Sequence, residues 1–398
     1  MKAERIGLFV VGGALLVAGA CIVVPRPTLG LVDWSAVFGA LLWATTVLFV
    51  AAVVVWMVLT YVVGSGYEPP AGVHRGDDVQ VRVLTVDSAA VVQATVDSLP
   101  EEFDDVRVIA ESPVSVEGAA VHVVPDGFEC DAVRKGRAIE WARRALYCDR
   151  EFVLYLDEDS RLESFDGLPD ADVVQLQERP RNTGSLLSYL ADVYRMGVQV
   201  EQRAFARLSI PLFAWGGGVA IRRTVEDEVT WDRETLVEDT AFVWAAAQQL
   251  DSFRFELSTA TCRNEAPPSL VEITQQRRRW AAGNLEAAAT LPFWYQVVTR
   301  VRNCAWALSP IVTLVAVPVS VLGTGVVSSS FAVVSWVLGA FTLFWYLRGV
   351  LYYGREQLAW ALALPLAPIV TVVHSMGTVA GILSPPGEFR VTEKIGDR

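Results

Sequence analysis

Apolar residues along this chain fall into two terminal blocks that enclose a polar one. Ile6–Val24 is an unbroken apolar run ended by Val24-Pro-Arg-Pro27, and Ser35–Val63 is a second run without any charged residue. Each is close to the ~20 residues a helix needs to cross a bilayer. The first run lacks a small-x-small cleavage site and leads directly into the second, so both are expected to be retained helices, not a signal peptide. Trp34, Trp43 and Trp56 are available as interfacial anchors. Near the other end, Asn303–Leu322, Val327–Leu347 and Gln357–Leu383 are candidate spans. Their prolines are tolerable within membrane helices. The stretch 287–300, with Phe293, Trp294 and Tyr295, suits a helix lying in the interface.

The polar block alternates strand-like and helix-like patterns. Val79–Val86 reads as a strand and is followed by a helical stretch to Leu99. Val106–Ala110 and Ala120–Val124 read as strands, and Ala132–Ala145 as an amphipathic helix. Phe152–Leu156 is a short buried strand that ends in acids. This β-α-β succession predicts a mostly parallel sheet with ligands at the carboxyl ends of its strands. The expected organisation is two transmembrane helices over 1–66 and a soluble α/β domain over 67–285. An interfacial helix, about three further spans and a short tail follow over 286–398.

Composition agrees with membrane segments. The hydrophobic fraction is 53% of 398 residues, and the mean hydropathy is +0.36. The net charge is −12 and falls on the middle block, while both flanks are weakly basic. An acidic soluble domain excludes nucleic acid as the partner, because phosphate binding needs a basic surface. The five cysteines form no C-x-x-C pair and the three histidines are scattered, so neither a zinc site nor a disulfide framework is implied. Lys2 and Arg5, with Arg277–Arg279 and Arg300–Arg302, place the domain on the cytoplasmic side.

Four elements carry candidate chemistry. Val153-Leu-Tyr-Leu-Asp-Glu-Asp-Ser160 delivers acids at a strand end, with Asp157 and Asp159 at the same-side spacing of an extended chain. Such a pair suits a hard divalent cation that also holds a diphosphate. In Trp215-Gly-Gly-Gly-Val-Ala-Ile221, Gly216, Gly217 and Gly218 let backbone approach a ligand closely. Leu236-Val-Glu-Asp-Thr240 opens a helical run, where the helix dipole favours an ionised Asp239, as a general base requires. In Gln276-Arg-Arg-Arg-Trp280, Gln276, Arg279 and Trp280 share a helix face. An arginine suits phosphate oxygens and a tryptophan face suits a sugar ring. Arg277 and Arg278 read as a juxtamembrane collar.

In this order the four elements resemble the membrane-bound family-2 glycosyltransferases of GT-A fold. That family includes cellulose, chitin and hyaluronan synthases and single-sugar transferases such as the egghead-type β-mannosyltransferase. Asp157-Glu-Asp159 is similar to its D-x-D motif, Glu238-Asp239 to its base motif and Gln276-x-x-Arg279-Trp280 to its Q-x-x-R-W. The tail Phe389-Arg-Val-Thr-Glu-Lys394 looks like the family's F-x-V-T-x-K run, and Trp215-Gly-Gly-Gly leans toward the egghead-like branch. The resemblance implies a GT-A domain between membrane helices, inverting hexose transfer, and Mg²⁺ or Mn²⁺ on Asp157 and Asp159. It implies a UDP- or GDP-sugar donor and a lipid-linked or glycan acceptor. It makes Asp239, with Glu238, the catalytic pair, and Lys135 and Arg279 donor contacts. Trp215, Gln276 and Trp280 would line the acceptor path with the glycines. Where the family has a Pro-x-x-Asn-Glu element this chain has Thr85-Val-Asp-Ser88, and where the family has an Asp-rich turn it has Ala110-Glu-Ser112. Asp87 and Glu111 are the available substitutes for contacting the donor. A processive polysaccharide synthase and a catalytically inactive scaffold of the same fold are the alternative readings.

Overall fold

The computed structural model describes residues 34–322, 328–352, 355–386 and Lys394. The run Ile6–Val24, and the Phe389–Lys394 run apart from Lys394, lie outside the described residues.

Strand β1 (Val79–Thr85) is buried along its whole length. It pairs in parallel with β2 (Asp105–Ala110) on one side and β4 (Phe152–Asp157) on the other, while β3 (Ala120–Val123) extends β2. The unbroken apolar run of β4 fits a strand covered on both faces, whereas in β1 the buried Gln80 and Arg82 alternate with valines. Alternation divides the apolar residues: Val79, Val81, Val83, Phe152, Leu154 and Leu156 pack into one core, Leu84, Val153 and Tyr155 into another on the opposite face. The full sheet adds β5 (Arg161–Ser164), β6 (Val173–Arg181), β7 (Val219–Arg222) and β8 (Phe255–Glu265) in the order β3-β2-β1-β4-β7-β6-β8-β5. It is mostly parallel, as expected, but mixed: β7 runs antiparallel to both β4 and β6, and β5 antiparallel to β8. The glycine turn that precedes β7 sits where β4 ends, so the strand has to run back from there.

Helices α2 (Ala89–Val96), α3 (Lys135–Ala145), α4 (Leu186–Gln199), α5 (Arg223–Val229), α6 (Glu238–Gln249) and α7 (Leu270–Ala287) cover the sheet and its carboxyl edge. At the start of α7 the Ser269 hydroxyl accepts the Glu272 backbone N–H at 3.2 Å, as the Ser-x-x-Glu pattern predicts.

Four described helices are long and apolar enough to cross a membrane: Ala36–Val63, Phe293–Leu322, Ser329–Tyr352 and Trp360–Leu383. The first belongs to α1, Trp34–Val58 followed by a π turn at Leu59–Val63. The second is labelled α8, the third α9, and the last contains α10 (Ala367–Leu383). The stretch 287–300 closes α7 and opens α8. No proline or glycine interrupts 293–309, so the helix runs on from Phe293. Trp56 is not an interfacial anchor: it is buried, with its ring 4.2 Å from that of Trp345 on α9.

Arg302 on α8 is held inside this junction by fully buried Glu201 of the turn Val200–Arg207, which accepts from both terminal guanidinium nitrogens, one at 3.0 Å. Removing the cation would strand a buried carboxylate. Arg302→Met is expected to cost about 3–5 kcal/mol in a chemical unfolding titration, with Glu201→Gln added to it restoring much of the loss.

Candidate active site

The carboxyl edge of the sheet gathers acids around one ammonium. Asp157 ends β4, while Glu238 and Asp239 form the first turn of α6. Lys135, the first residue of α3, reaches all three: its Nζ lies 2.9 Å from Asp157 Oδ1, 3.0 Å from Glu238 Oε1 and 3.4 Å from Asp239 Oδ1. Burial opposes the Lys135 charge, yet the three carboxylates outweigh it and hold the ammonium well above its ordinary pKa. Burial and the neighbouring Glu238 push the Asp239 carboxyl well above the usual carboxylate range, and Lys135 pulls it partly back. A base raised in this way accepts a proton more readily than a surface carboxylate.

The glycine turn lies against this cluster. A Cβ on Gly216 would collide with Asp239 Oδ2 and the Lys135 ammonium, and one on Gly217 with Asn264 and Glu178. Glycine at these two positions is therefore a matter of room. Gln175 on β6 fixes the turn: its amide donates to the Trp215 carbonyl at 3.0 Å and to the Gly218 carbonyl at 2.8 Å, and accepts the Trp215 N–H at 2.8 Å. The Thr240 hydroxyl ties α6 to the preceding segment through both backbone groups of Ala214.

Asp157, Asp159, Glu238, Asp239, Lys135, Glu111, Trp215, Gly216, Gly217, Gln276, Arg279 and Trp280 all line one cavity of about 730 Å³. Two expected members are absent from that lining. Gly218 packs beneath the turn against Leu176 and Cys262. Asp87 is exposed outside the cavity, because the inward position belongs to Thr85. That hydroxyl donates to Glu158 at 2.6 Å and accepts the Ser88 N–H, and the turn leaves Asp87 outside. Glu111 is paired with Arg137 at 3.1 Å. Arg277 is no lipid-facing collar: it is buried and bonded to Asp192, whereas Arg278 binds the Ser384 carbonyl at 2.9 Å.

Sequence reasoning missed a second charged layer behind the tryptophans. The Arg195 guanidinium lies 4.2 Å from the Trp215 ring centre and 5.4 Å from that of Trp280, while Arg277 stacks on Trp280 at 4.2 Å. Asp192 and Glu178 face Arg195 at 3.3 and 3.5 Å. Glu178 also accepts the Gly217 N–H at 3.0 Å, and burial pushes its pKa up to about 7. Alternating cations and ring faces fix the orientation of both indoles. Charged residues inside the otherwise apolar pattern of α4 were the available signal.

The acid pair fits a divalent cation. Asp159 Oδ2 accepts the Glu265 backbone N–H at 2.7 Å and the Lys394 ammonium at 2.6 Å. Its Oδ1 is buried and finds no hydrogen-bond partner among the described residues. No cage of three or more acidic, histidine or cysteine ligands forms among the described residues. A hard cation bound by one or two carboxylates and completed by substrate phosphates needs no such cage.

Residues 152–351 match the model of glycosyl transferase family group 2, half of the chain, and the chain belongs to that family. It is a glycosyltransferase with an α/β nucleotide-sugar transferase fold. Among solved structures it is similar to the mannosyltransferase PcManGT from Pyrobaculum calidifontis, in complex with GDP-Man and Mn²⁺. The TM-score is 0.53 at 14% identity, over 85% of this chain and 98% of that one. A weaker likeness is to S. aureus TarS 1–349 in complex with UDP-GlcNAc, at TM-score 0.32 and 10% identity, over 76% of this chain and 91% of that one. No curated protein matches the chain.

Proposed function

We propose that the chain is an inverting hexosyltransferase that moves one sugar from a nucleotide-diphosphate donor to a hydroxyl of a lipid-linked acceptor. The observation that carries this reading is the shape of the cavity. One wall holds Asp157, Asp159, Asp239 and Arg279; another is made by Phe49, Val53 and Trp56 of α1 and Phe341 of α9. A polar reaction centre thus opens onto the apolar faces of membrane-spanning helices, the surroundings a lipid tail needs.

Asp239 removes the acceptor proton as the acceptor oxygen bonds to the anomeric carbon. The bond from that carbon to the diphosphate breaks on the opposite side, so a single displacement inverts the centre. Asp157 and Asp159 would hold Mg²⁺ or Mn²⁺, which supplies positive charge to the departing diphosphate. Arg279 lines the same cavity, where its charge faces the diphosphate. Lys135, which lines the same cavity, holds Asp157, Glu238 and Asp239 together. Trp215 and Trp280 flank the acceptor, and the likeness to a mannosyltransferase agrees with a hexose donor of the egghead-type branch.

A cytoplasmic position for the domain of a multi-pass membrane protein is supported by Arg278 and the exposed Arg300 at the junction. Detergent-purified protein given a panel of UDP- and GDP-hexoses is expected to transfer one of them to extracted lipid. EDTA should abolish that transfer and added Mn²⁺ or Mg²⁺ restore it. Full activity in EDTA would remove the cation from this account.

A further inference from the structure

The cavity continues past the catalytic acids into the space bounded by α8, α10 and α4, where Asn303 and His374 line it. Both side chains are 6% exposed. The Asn303 amide nitrogen donates to the Thr299 carbonyl at 2.9 Å, which fixes the orientation of the amide. Its buried Oδ1 is left as an acceptor, and no described residue supplies a donor to it. The His374 ring lies between Tyr194 and Trp306, with ring centres 5.3 and 5.0 Å away, and its Nδ1 is likewise unpartnered among the described residues. Buried polar atoms are seldom left unsatisfied in a folded protein, and two on one cavity wall call for an explanation. Both belong to helices that are long and apolar enough to span a membrane, where water is least available to satisfy them.

The chemistry of the two atoms limits the ligand. An amide oxygen accepts only, so its partner has to bring an O–H or N–H. A phosphate ionised at neutral pH brings acceptors and no donor. Trp306 and Trp345 line the same cavity, and indole rings suit the C–H side of a cyclic polyol. Resting on the transfer reaction proposed above, we infer that Asn303 and His374 form a subsite for a hydroxylated ring on the acceptor lipid. The acceptor is then a lipid that already carries a sugar or another ring polyol as its headgroup, not a bare isoprenoid phosphate. The subsite holds that headgroup while the hydroxyl to be glycosylated reaches Asp239.

The full chain in nanodiscs tests this by equilibrium binding of three lipids without any donor: a glucosyl-diacylglycerol, a phosphatidylinositol and a polyprenyl monophosphate. The two polyol lipids are expected to bind about tenfold more tightly than the monophosphate, the difference one satisfied buried hydrogen bond can make. Whichever of the two binds better identifies the ring as sugar or inositol. Asn303→Ala and His374→Phe, the latter keeping an aromatic ring between Tyr194 and Trp306, should each lower polyol-lipid affinity by about tenfold. Retained affinity for UDP or GDP serves as the check on folding. Equal or tighter binding of the polyprenyl monophosphate to the wild-type chain would overturn the inference, as would folded variants with unchanged polyol-lipid affinity. If the polyol lipids bind as expected but no nucleotide sugar is transferred to them, the subsite stands and the catalytic reading fails.

Discussion

Asp239→Asn is expected to lower kcat by about 10²–10⁴-fold, the range for loss of a general base, while affinity for the nucleotide is retained. Asparagine fills the same space at the head of α6 but cannot take the acceptor proton. The wild-type rate should fall on acidification as Asp239 becomes protonated. Because burial and Glu238 raise its pKa, that acidic limb lies above the pH at which an ordinary aspartate would produce one. In the variant the limb disappears with the activity. A variant that keeps its rate would move the base to another group, Glu238 being the nearest acid on the same helical turn.

Lys135→Met is expected to cost about 10²-fold in rate and to displace the acidic limb to higher pH. The ammonium lies within 3.4 Å of Asp157, Glu238 and Asp239 and opposes their mutual repulsion. Without it, the ionised form of Asp239 loses its nearest counter-charge, so its pKa rises further and more alkaline pH is needed to ionise it. Donor KM discriminates between two roles for this lysine. A raised donor KM with an unmoved limb would return Lys135 to direct contact with the donor. A displaced limb with little change in KM identifies it as the group that sets the charge of the acids.

Much of this was legible in the sequence because it rests on local chemistry. Strands β1 to β3 emerge from recurring valines, β4 from an unbroken apolar run, and α7 from Ser269 and Glu272. A shared site for Asp157, Asp239 and Trp280 was what the resemblance in motif order implied, and the three line one cavity. Longer-range facts were not legible. Alternation within Val219–Arg222 says nothing about its direction, so the antiparallel β7 was invisible. The spacing of residues in the chain cannot reveal that three acids surround Lys135. Asp87 looked like a site residue from its place after β1, but the Thr85 hydroxyl took the inward position. Asp192 and Arg195 sit on α4 and Glu178 on β6, two elements that only the folded chain brings together behind the tryptophans. The same holds for Asn303 and His374, 71 positions apart, whose unsatisfied atoms become apparent only once the helices are packed.

The claim on which the account depends is that one cavity serves both a nucleotide sugar and a lipid. Full-length protein in nanodiscs, supplied with acceptor lipid and a nucleotide hexose labelled in the sugar, puts this to the test. The label should appear in the organic-extractable fraction as a single hexose per lipid, and this product should be lost with Asp239→Asn. Label recovered only as free hexose, or in a long water-soluble polymer, would contradict it.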